Sequence, residues 1–182
     1  NRRVALEAEG RTIYNLSVGT PDFEPYPHVV DAVAQAIQDP QMWKYSLRDL
    51  PELKQAVCDY YVRRFGVKGI TPDMVCSVNG TQEGVGVFGL AMLDEGDTVL
   101  VPDPCYPVFE GIDPAVADRA KYMIVSLPAN PVGSVGTPEL YTQIIEFARE
   151  HDLLIVHDNA YSDITFDGPR GGSFLQYPGA LE

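Results

Sequence analysis

The chain has 182 residues, 45% hydrophobic and 21% charged, enough for one domain with a sizeable core and in the range of an ordinary water-soluble globular protein. Its formal net charge of −13 repels phosphate backbones, which argues against nucleic acid as a partner, and no apolar run reaches the length that spans a bilayer. A small anionic ligand stays compatible with this charge, because the backbone N–H groups at a helix amino end bind phosphate locally.

In chain order, residues 1–25 read as a short extended segment. It passes through Asn15-Leu16-Ser17-Val18-Gly19 into the turn-rich Gly19-Thr20-Pro21-Asp22-Phe23-Glu24-Pro25. Residues 1–10 are polar and charged, unlike the apolar stretch of a secretion signal, so a cytoplasmic protein is expected. A helix is predicted from Pro27, a favoured first-turn residue. Val29, Val30, Val33, Ala36 and Ile37 recur at helical spacing, and Asp39-Pro40 stops the run. A second helix follows Asp49, read as its N-cap. Its apolar face carries Leu53, Ala56, Val57, Tyr60 and Tyr61, and Gly66 ends it.

Strands then alternate with helices. Residues 75–78 read as a strand, 81–93 as a helix, 98–101 and 122–127 as strands. Thr137-Pro138 opens a helix that runs to about Glu150, and residues 153–156 form a last strand. This order predicts an α/β domain over residues 26–182, with a largely parallel mixed sheet flanked by helices. Only a loop and a short helical stretch around Gly111-Ile112-Asp113-Pro114 separate residues 101 and 122, barely enough for a parallel crossover.

Cys58, Cys76 and Cys105 fit no zinc spacing, and their odd number does not describe a disulfide framework, so they read as reduced core thiols. His157-Asp158 is an adjacent pair without further ligands nearby in the sequence, which is too little for a metal site.

Ligands of open α/β sheets bind beyond the carboxyl ends of the strands. Each predicted strand delivers polar or aromatic residues there: Asn79-Gly80-Thr81-Gln82, Pro102-Asp103-Pro104-Cys105-Tyr106-Pro107, Pro128-Ala129-Asn130-Pro131-Val132-Gly133 and His157-Asp158-Asn159-Ala160-Tyr161. Gly80-Thr81 lies between a strand and a helix amino end, where free N–H groups favour an anion; a tight turn with Thr81 as a cap accounts for it equally well. Asp158 follows an apolar strand and should be partly buried, so it needs a partner, either a backbone turn or a cation. Tyr106 and Tyr161 also fit as rim aromatics, and Asn130 as a turn residue. Gly84-Val85-Gly86-Val87-Phe88-Gly89 matches the dinucleotide-binding fingerprint, with Asp103 at the spacing of a ribose-binding acid. That fingerprint should begin directly after the strand, whereas Gly84 falls inside the predicted helix, where glycines permit close helix–sheet packing.

Six segments, in order, resemble the class I/II aminotransferases of fold type I, which depend on pyridoxal 5'-phosphate. They are Asn15-Leu16-Ser17-Val18-Gly19-Thr20-Pro21-Asp22-Phe23, Tyr45-Ser46-Leu47-Arg48-Asp49-Leu50-Pro51-Glu52-Leu53, Asn79-Gly80-Thr81-Gln82-Glu83-Gly84, Pro104-Cys105-Tyr106-Pro107, Asn130-Pro131-Val132-Gly133 and Asp158-Asn159-Ala160-Tyr161. The likeness covers nearly the whole chain and points to the aspartate and LL-diaminopimelate aminotransferase-like branch. It implies that Gly80, Thr81 and Gln82 cradle the cofactor phosphate, that Tyr106 stacks on the pyridine ring, and that Asp158 pairs with the ring N–H. It further implies that Asn130 and Tyr161 bond the phenolic oxygen, that Gly19 contacts the substrate carboxylate, and that Tyr45 reaches the phosphate of a neighbouring subunit in a homodimer.

Three departures stand out. Val132 occupies a position where the family has threonine. The family carries a further strand and helix where Ile112 here meets Asp113 directly. The lysine to which the family attaches the cofactor, and the arginine that grips the substrate carboxylate, lie downstream of Glu182. Lys44, Lys54, Lys68 and Lys121 match none of that lysine's context, so no residue here is assigned as catalytic. The chain is thus read as the front half of the large cofactor-binding domain, preceded by a segment on the small-domain side. The implied parent activity moves an amino group between an amino acid and a 2-oxo acid. A C–S β-lyase on the same scaffold, a non-catalytic truncated module and a dinucleotide-binding oxidoreductase are the alternatives.

Overall fold

The first 47 residues and the remainder form separate units, Asn1–Leu47 and Arg48–Glu182, in the computed structural model, which describes residues 2–16, 19, 21, 23–104 and 120–181. The first unit begins with a helix, α1 (Arg2–Ala8), where an extended segment was expected. The sequence Arg-Arg-Val-Ala-Leu-Glu-Ala is rich in good helix formers, and Arg3 and Glu7 pair across one turn at 3.7 Å. Residues 11–16 carry no regular secondary structure. Helix α2 (Pro27–Ala36) starts on Pro27 as predicted. Asp39-Pro40 then does more than stop it: the Asp39 carboxylate accepts from the Gln41 N–H and opens a 3₁₀ turn, Pro40–Trp43.

The second unit holds the sheet. Helix α3 (Pro51–Phe65) has Leu50 as its N-cap, in place of the predicted Asp49. The Asp49 carboxylate instead accepts from the backbone N–H and the hydroxyl of Ser77. Gly66 ends α3 in the left-handed region, φ 68°, as predicted. That same Ser77 contact bears on a second correction. Residues 75–78 are not a strand, because they find no ladder partner among the described residues and the Ser77 N–H is spent on a side chain. Helix α4 (Thr81–Met92) follows, then β1 (Thr98–Leu100), β2 (Ala120–Ser126), α5 (Pro138–Glu150) and β3 (Leu154–Asp158).

The three described strands pair in the order β1-β2-β3, all parallel. Alternation along β2 divides its side chains between two layers. Tyr122 and Ile124 join Val99 in one buried cluster, packed against Val85 and Phe88 of α4. Val125 faces the other cluster, where Tyr141 and Ile145 of α5 meet Leu127 and Phe174. The sheet is therefore flanked by a helix on each face. Helix α5 sits firmly because Thr137 caps it, accepting from the Leu140 N–H at 3.2 Å, and because Tyr141 is 1% exposed.

Among the cysteines, Cys58 is buried but Cys76 is exposed, against the expectation that all three lie in the core. Cys105, Tyr106 and the Ile112-Asp113 junction lie outside the described residues.

Candidate active site at the carboxyl ends of the strands

The parallel register brings Asp158, the last residue of β3, opposite Ser126, the last of β2. The loops that follow therefore leave the sheet side by side. They carry Asn130 and Tyr161, and the Asn130 amide donates to the Tyr161 hydroxyl at 3.2 Å. This pair, predicted from the two loops, is joined directly.

Asp158 is half-buried, as its place after an apolar strand requires. Its Oδ1 atom is buried with no hydrogen-bond partner among the described residues. Desolvation raises its pKa above the ordinary carboxylate value, and a backbone N–H contact from Ala160 offsets this in part. A buried carboxylate oxygen without a donor is costly, and it is complementary to a cationic N–H.

Gly80 and Thr81 form the amino end of α4. Gly80 is the N-cap at φ 92°, ψ 151°, a conformation that essentially only glycine adopts, and open space surrounds the position a Cβ would take. Thr81 is the first helical residue and does not cap the helix; among the described residues no side chain does. The Glu83 carboxylate bonds the Asn79 N–H at 2.6 Å, one residue outside the helix. Among the described residues the first-turn N–H groups of α4 thus have no side-chain acceptor, which suits an anion. Gln82 is exposed at the second helical position. The amino end is anchored to the sheet through Val85 and Phe88.

The dinucleotide fingerprint resolves as packing. All three of its glycines lie within α4. A Cβ on Gly84 would sit 3.2 Å from Val78, and one on Gly89 3.4 Å from the Tyr122 hydroxyl, while Gly86 faces open space. His157, considered with Asp158 as a metal pair, is instead a core residue. Its ring packs edge-on against Tyr141 and Phe174, and its Nε2 lies 3.2 Å from the Leu127 carbonyl. Burial drives its pKa down to about 4, and the Leu127 contact opposes that shift.

Two predicted contacts belong to the first unit. Tyr45 is 90% exposed there, and Gly19 is also exposed, with open space around its Cα. Tyr106 lies among the residues not described.

Sequence reasoning missed a network behind Tyr161. Arg64 of α3 donates to the Asp163 carboxylate at 2.5 Å and to the carbonyls of Ser162 and Gly171 at 3.1 and 3.3 Å. Tyr60 donates to the other Asp163 oxygen at 2.6 Å. A cavity of about 440 Å³ lies on the α5 side of β1 and β2, lined mainly by apolar residues such as Val101, Met123, Val125 and Ile144. Asn130 is on its edge, but the described lining includes neither Asp158 nor Tyr161.

The orphaned acid, the uncapped helix and the joined Asn130–Tyr161 pair coincide with a family-wide likeness. The family profile for aminotransferase class I and II matches residues 11–112 and 108–177. The chain belongs to this family. Among its relatives, an LL-diaminopimelate aminotransferase from Desulforudis audaxviator strain MP104C is 36% identical over 203 aligned positions, covering 97% of this chain and 52% of the relative. The glutamate-pyruvate aminotransferase AlaC of Escherichia coli K12 is 34% identical, covering 99% and 50%. Among solved structures, apo-BacF from Bacillus subtilis superposes with a TM-score of 0.87 at 33% identity, covering 98% of this chain and 52% of that one. An alanine aminotransferase from Pyrococcus furiosus gives 0.84 at 28%, covering 98% and 51%. The chain spans about half the length of the curated relatives it matches. No helix among the described residues is long and apolar enough to cross a membrane.

Proposed function

We propose that this chain is the cofactor-cradling front half of a pyridoxal 5'-phosphate-dependent aminotransferase that moves an amino group between an amino acid and a 2-oxo acid. The observation that carries the reading is the buried Oδ1 of Asp158 at the end of β3, unpartnered among the described residues, in a member of this family. Bound pyridoxal phosphate, protonated at its ring nitrogen, supplies an electron sink for the charge left when a substrate α-proton departs. Asp158 accepts from the ring N–H and holds that proton in place. The first turn of α4, from Gly80 through Thr81 and Gln82, holds the phosphate. Asn130 and Tyr161 present an amide and a hydroxyl to the phenolic oxygen, and Tyr106 stacks on the ring. Gly19 offers its backbone to the substrate carboxylate. Tyr45 serves the phosphate of a second subunit, which makes the parent a homodimer, and its compartment is the cytoplasm. The chain itself has no lysine in the context the family uses, so by itself it binds without turning over.

Two features support a further domain reading. The family profile breaks into two pieces that meet at residues 108–112. The alignment to the Desulforudis relative runs over 203 positions, more than the chain's 182 residues. We infer that a strand and helix of the relatives are missing between residues 112 and 113. Residues 1–25 then belong to the small-domain side and 26–182 to a partial large domain.

Equilibrium titration with pyridoxal phosphate, with and without Asp158→Asn, tests the cofactor reading. Saturable binding that weakens about tenfold or more in the variant is expected, since a charge-assisted hydrogen bond is worth roughly 1.5–3 kcal/mol. Equal binding by both proteins, or binding of a nicotinamide dinucleotide instead, would overturn it. In the full-length parent, pyruvate and ammonia as products would replace transfer by β-elimination.

A further inference from the structure

Tyr161 begins a tight turn. The Ile164 N–H closes it onto the Tyr161 carbonyl at 3.0 Å, which leaves Ser162 and Asp163 as its two central residues. Both are held by one side chain from a distant helix. Arg64 Nη2 donates to the Ser162 carbonyl at 3.1 Å, and Arg64 Nε to the Asp163 carboxylate at 2.5 Å. The same Nη2 reaches the Gly171 carbonyl at 3.3 Å, so the guanidinium also ties down the far end of the loop. That loop is pinched shut at its base: a Cβ on Gly171 would lie 2.5 Å from the Ser162 Cα.

The clamp is well made for its purpose. The Arg64 side chain is only 18% exposed, and its guanidinium carbon also lies 4.8 Å from the centre of the Phe65 ring. A planar fork that satisfies two carbonyls and a carboxylate at once is something lysine cannot reproduce. Tyr60, one helical turn before Arg64, holds the second Asp163 oxygen. The turn is therefore fixed from α3 at both central residues, and among the described hydrogen bonds neither anchor engages the Asn130–Tyr161 pair itself.

We propose that Arg64 is a positioning residue, which fixes the turn carrying Tyr161 so that the Tyr161 hydroxyl stays in register with the Asn130 amide. Its consequence for ligand binding rests on the reading of Tyr161 and Asn130 as cofactor contacts, whereas its effect on their geometry does not. Loss of the guanidinium frees the turn, and Tyr161 then samples orientations in which Asn130 has no acceptor.

The test uses Arg64→Met, which keeps the apolar stem, and Asp163→Ala, which removes an exposed partner. Two signals are followed by NMR on the whole chain: exchange of the Ile164 amide and the side-chain amide resonance of Asn130. In Arg64→Met, Ile164 should exchange about tenfold or more faster, as expected for a lost hydrogen bond to a charged group. The Asn130 resonance should move to the position seen in Tyr161→Phe. Asp163→Ala should move both signals the same way by a smaller amount, and it carries the test if Arg64→Met does not fold. A core variant on helix α5, Ile145→Val, supplies the control. Wild-type Asn130 and Ile164 signals in the folded clamp variants overturn the proposal, as does an equal displacement of Asn130 in Ile145→Val. Failure of the wild-type chain to bind pyridoxal phosphate would sink the cofactor reading and leave these signals as they are.

Discussion

Acidification should weaken this fold through one buried ring. His157 sits between Tyr141 and Phe174, and desolvation lowers its pKa from the ordinary 6.5 to about 4. Above pH 6.5 the ring is neutral in both folded and unfolded chains, and its contribution does not vary. Between 6.5 and 4 the unfolded chain takes up a proton that the folded one refuses, so stability falls as pH falls. Below about 4 both forms are charged and the loss is complete, at about 3 kcal/mol for a gap of this size. By pH 5 the loss is already about 2 kcal/mol. His157→Gln removes the titration but keeps a group able to donate to the Leu127 carbonyl, which accepts from the ring side at 3.2 Å. Urea unfolding at pH 7 and pH 5 reads the effect as a difference between the two proteins, so the carboxylates common to both cancel. Wild type should lose about 2 kcal/mol more than the variant over that interval. Equal losses would show that the ring is hydrated in solution and would refute the reasoning.

Gly80→Ala should cost about 1–3 kcal/mol in thermal or urea unfolding, because φ 92° with ψ 151° is strained for any residue with a Cβ, although nothing stands in its way sterically. Thr137→Ala removes the oxygen that accepts from the Leu140 N–H. It should lower the urea midpoint by the equivalent of about 1 kcal/mol with an unchanged slope.

What the sequence made legible follows from how local each signal is. Helix α5 is visible because Thr137-Pro138 and an apolar stripe lie within one short stretch. The strands β1, β2 and β3 are visible as apolar runs between turns, and the shared direction of β2 and β3 follows from helix α5 between them. The strand predicted at 75–78 failed for a non-local reason: pairing needs a neighbour, and Ser77 is engaged with Asp49, 28 residues away. The Asp49 cap failed for the same reason from the other side. Helix α1 is too short for periodicity to report. At the candidate site, the end of β3 marked Asp158 directly, since a carboxylate after an apolar run must be partly buried. Arg64 could not be found this way. Its partner Asp163 is 99 residues away, and an arginine late in a helix is an ordinary sight next to the helix dipole.

The second unit carries two unmet electrostatic demands of opposite sign. Among the described residues, Asp158 Oδ1 is buried without a donor, and the amino end of α4 has no side-chain cap. Each costs the free chain some stability, so Asp158→Asn should leave the free chain at least as stable at neutral pH, since the raised pKa of Asp158 means that folding disfavours its ionised form. A dipolar ligand with a cationic N–H at one end and a phosphate at the other would satisfy both demands. Thermal shifts can separate the two halves of that match. Inorganic phosphate addresses only the helix end, pyridoxal only the acid, and pyridoxal phosphate both. At a concentration of 100 times its Kd, a ligand that binds only the folded chain adds about 2.7 kcal/mol. Pyridoxal phosphate should reach that gain at a far lower concentration than either part. Asp158→Asn should abolish the effect of pyridoxal while leaving that of inorganic phosphate intact, and Gly80→Ala should do the reverse. If Asp158→Asn instead weakens both ligands equally, the acid supports the fold around the site and does not meet the ring, and the helix end alone remains as the anion seat.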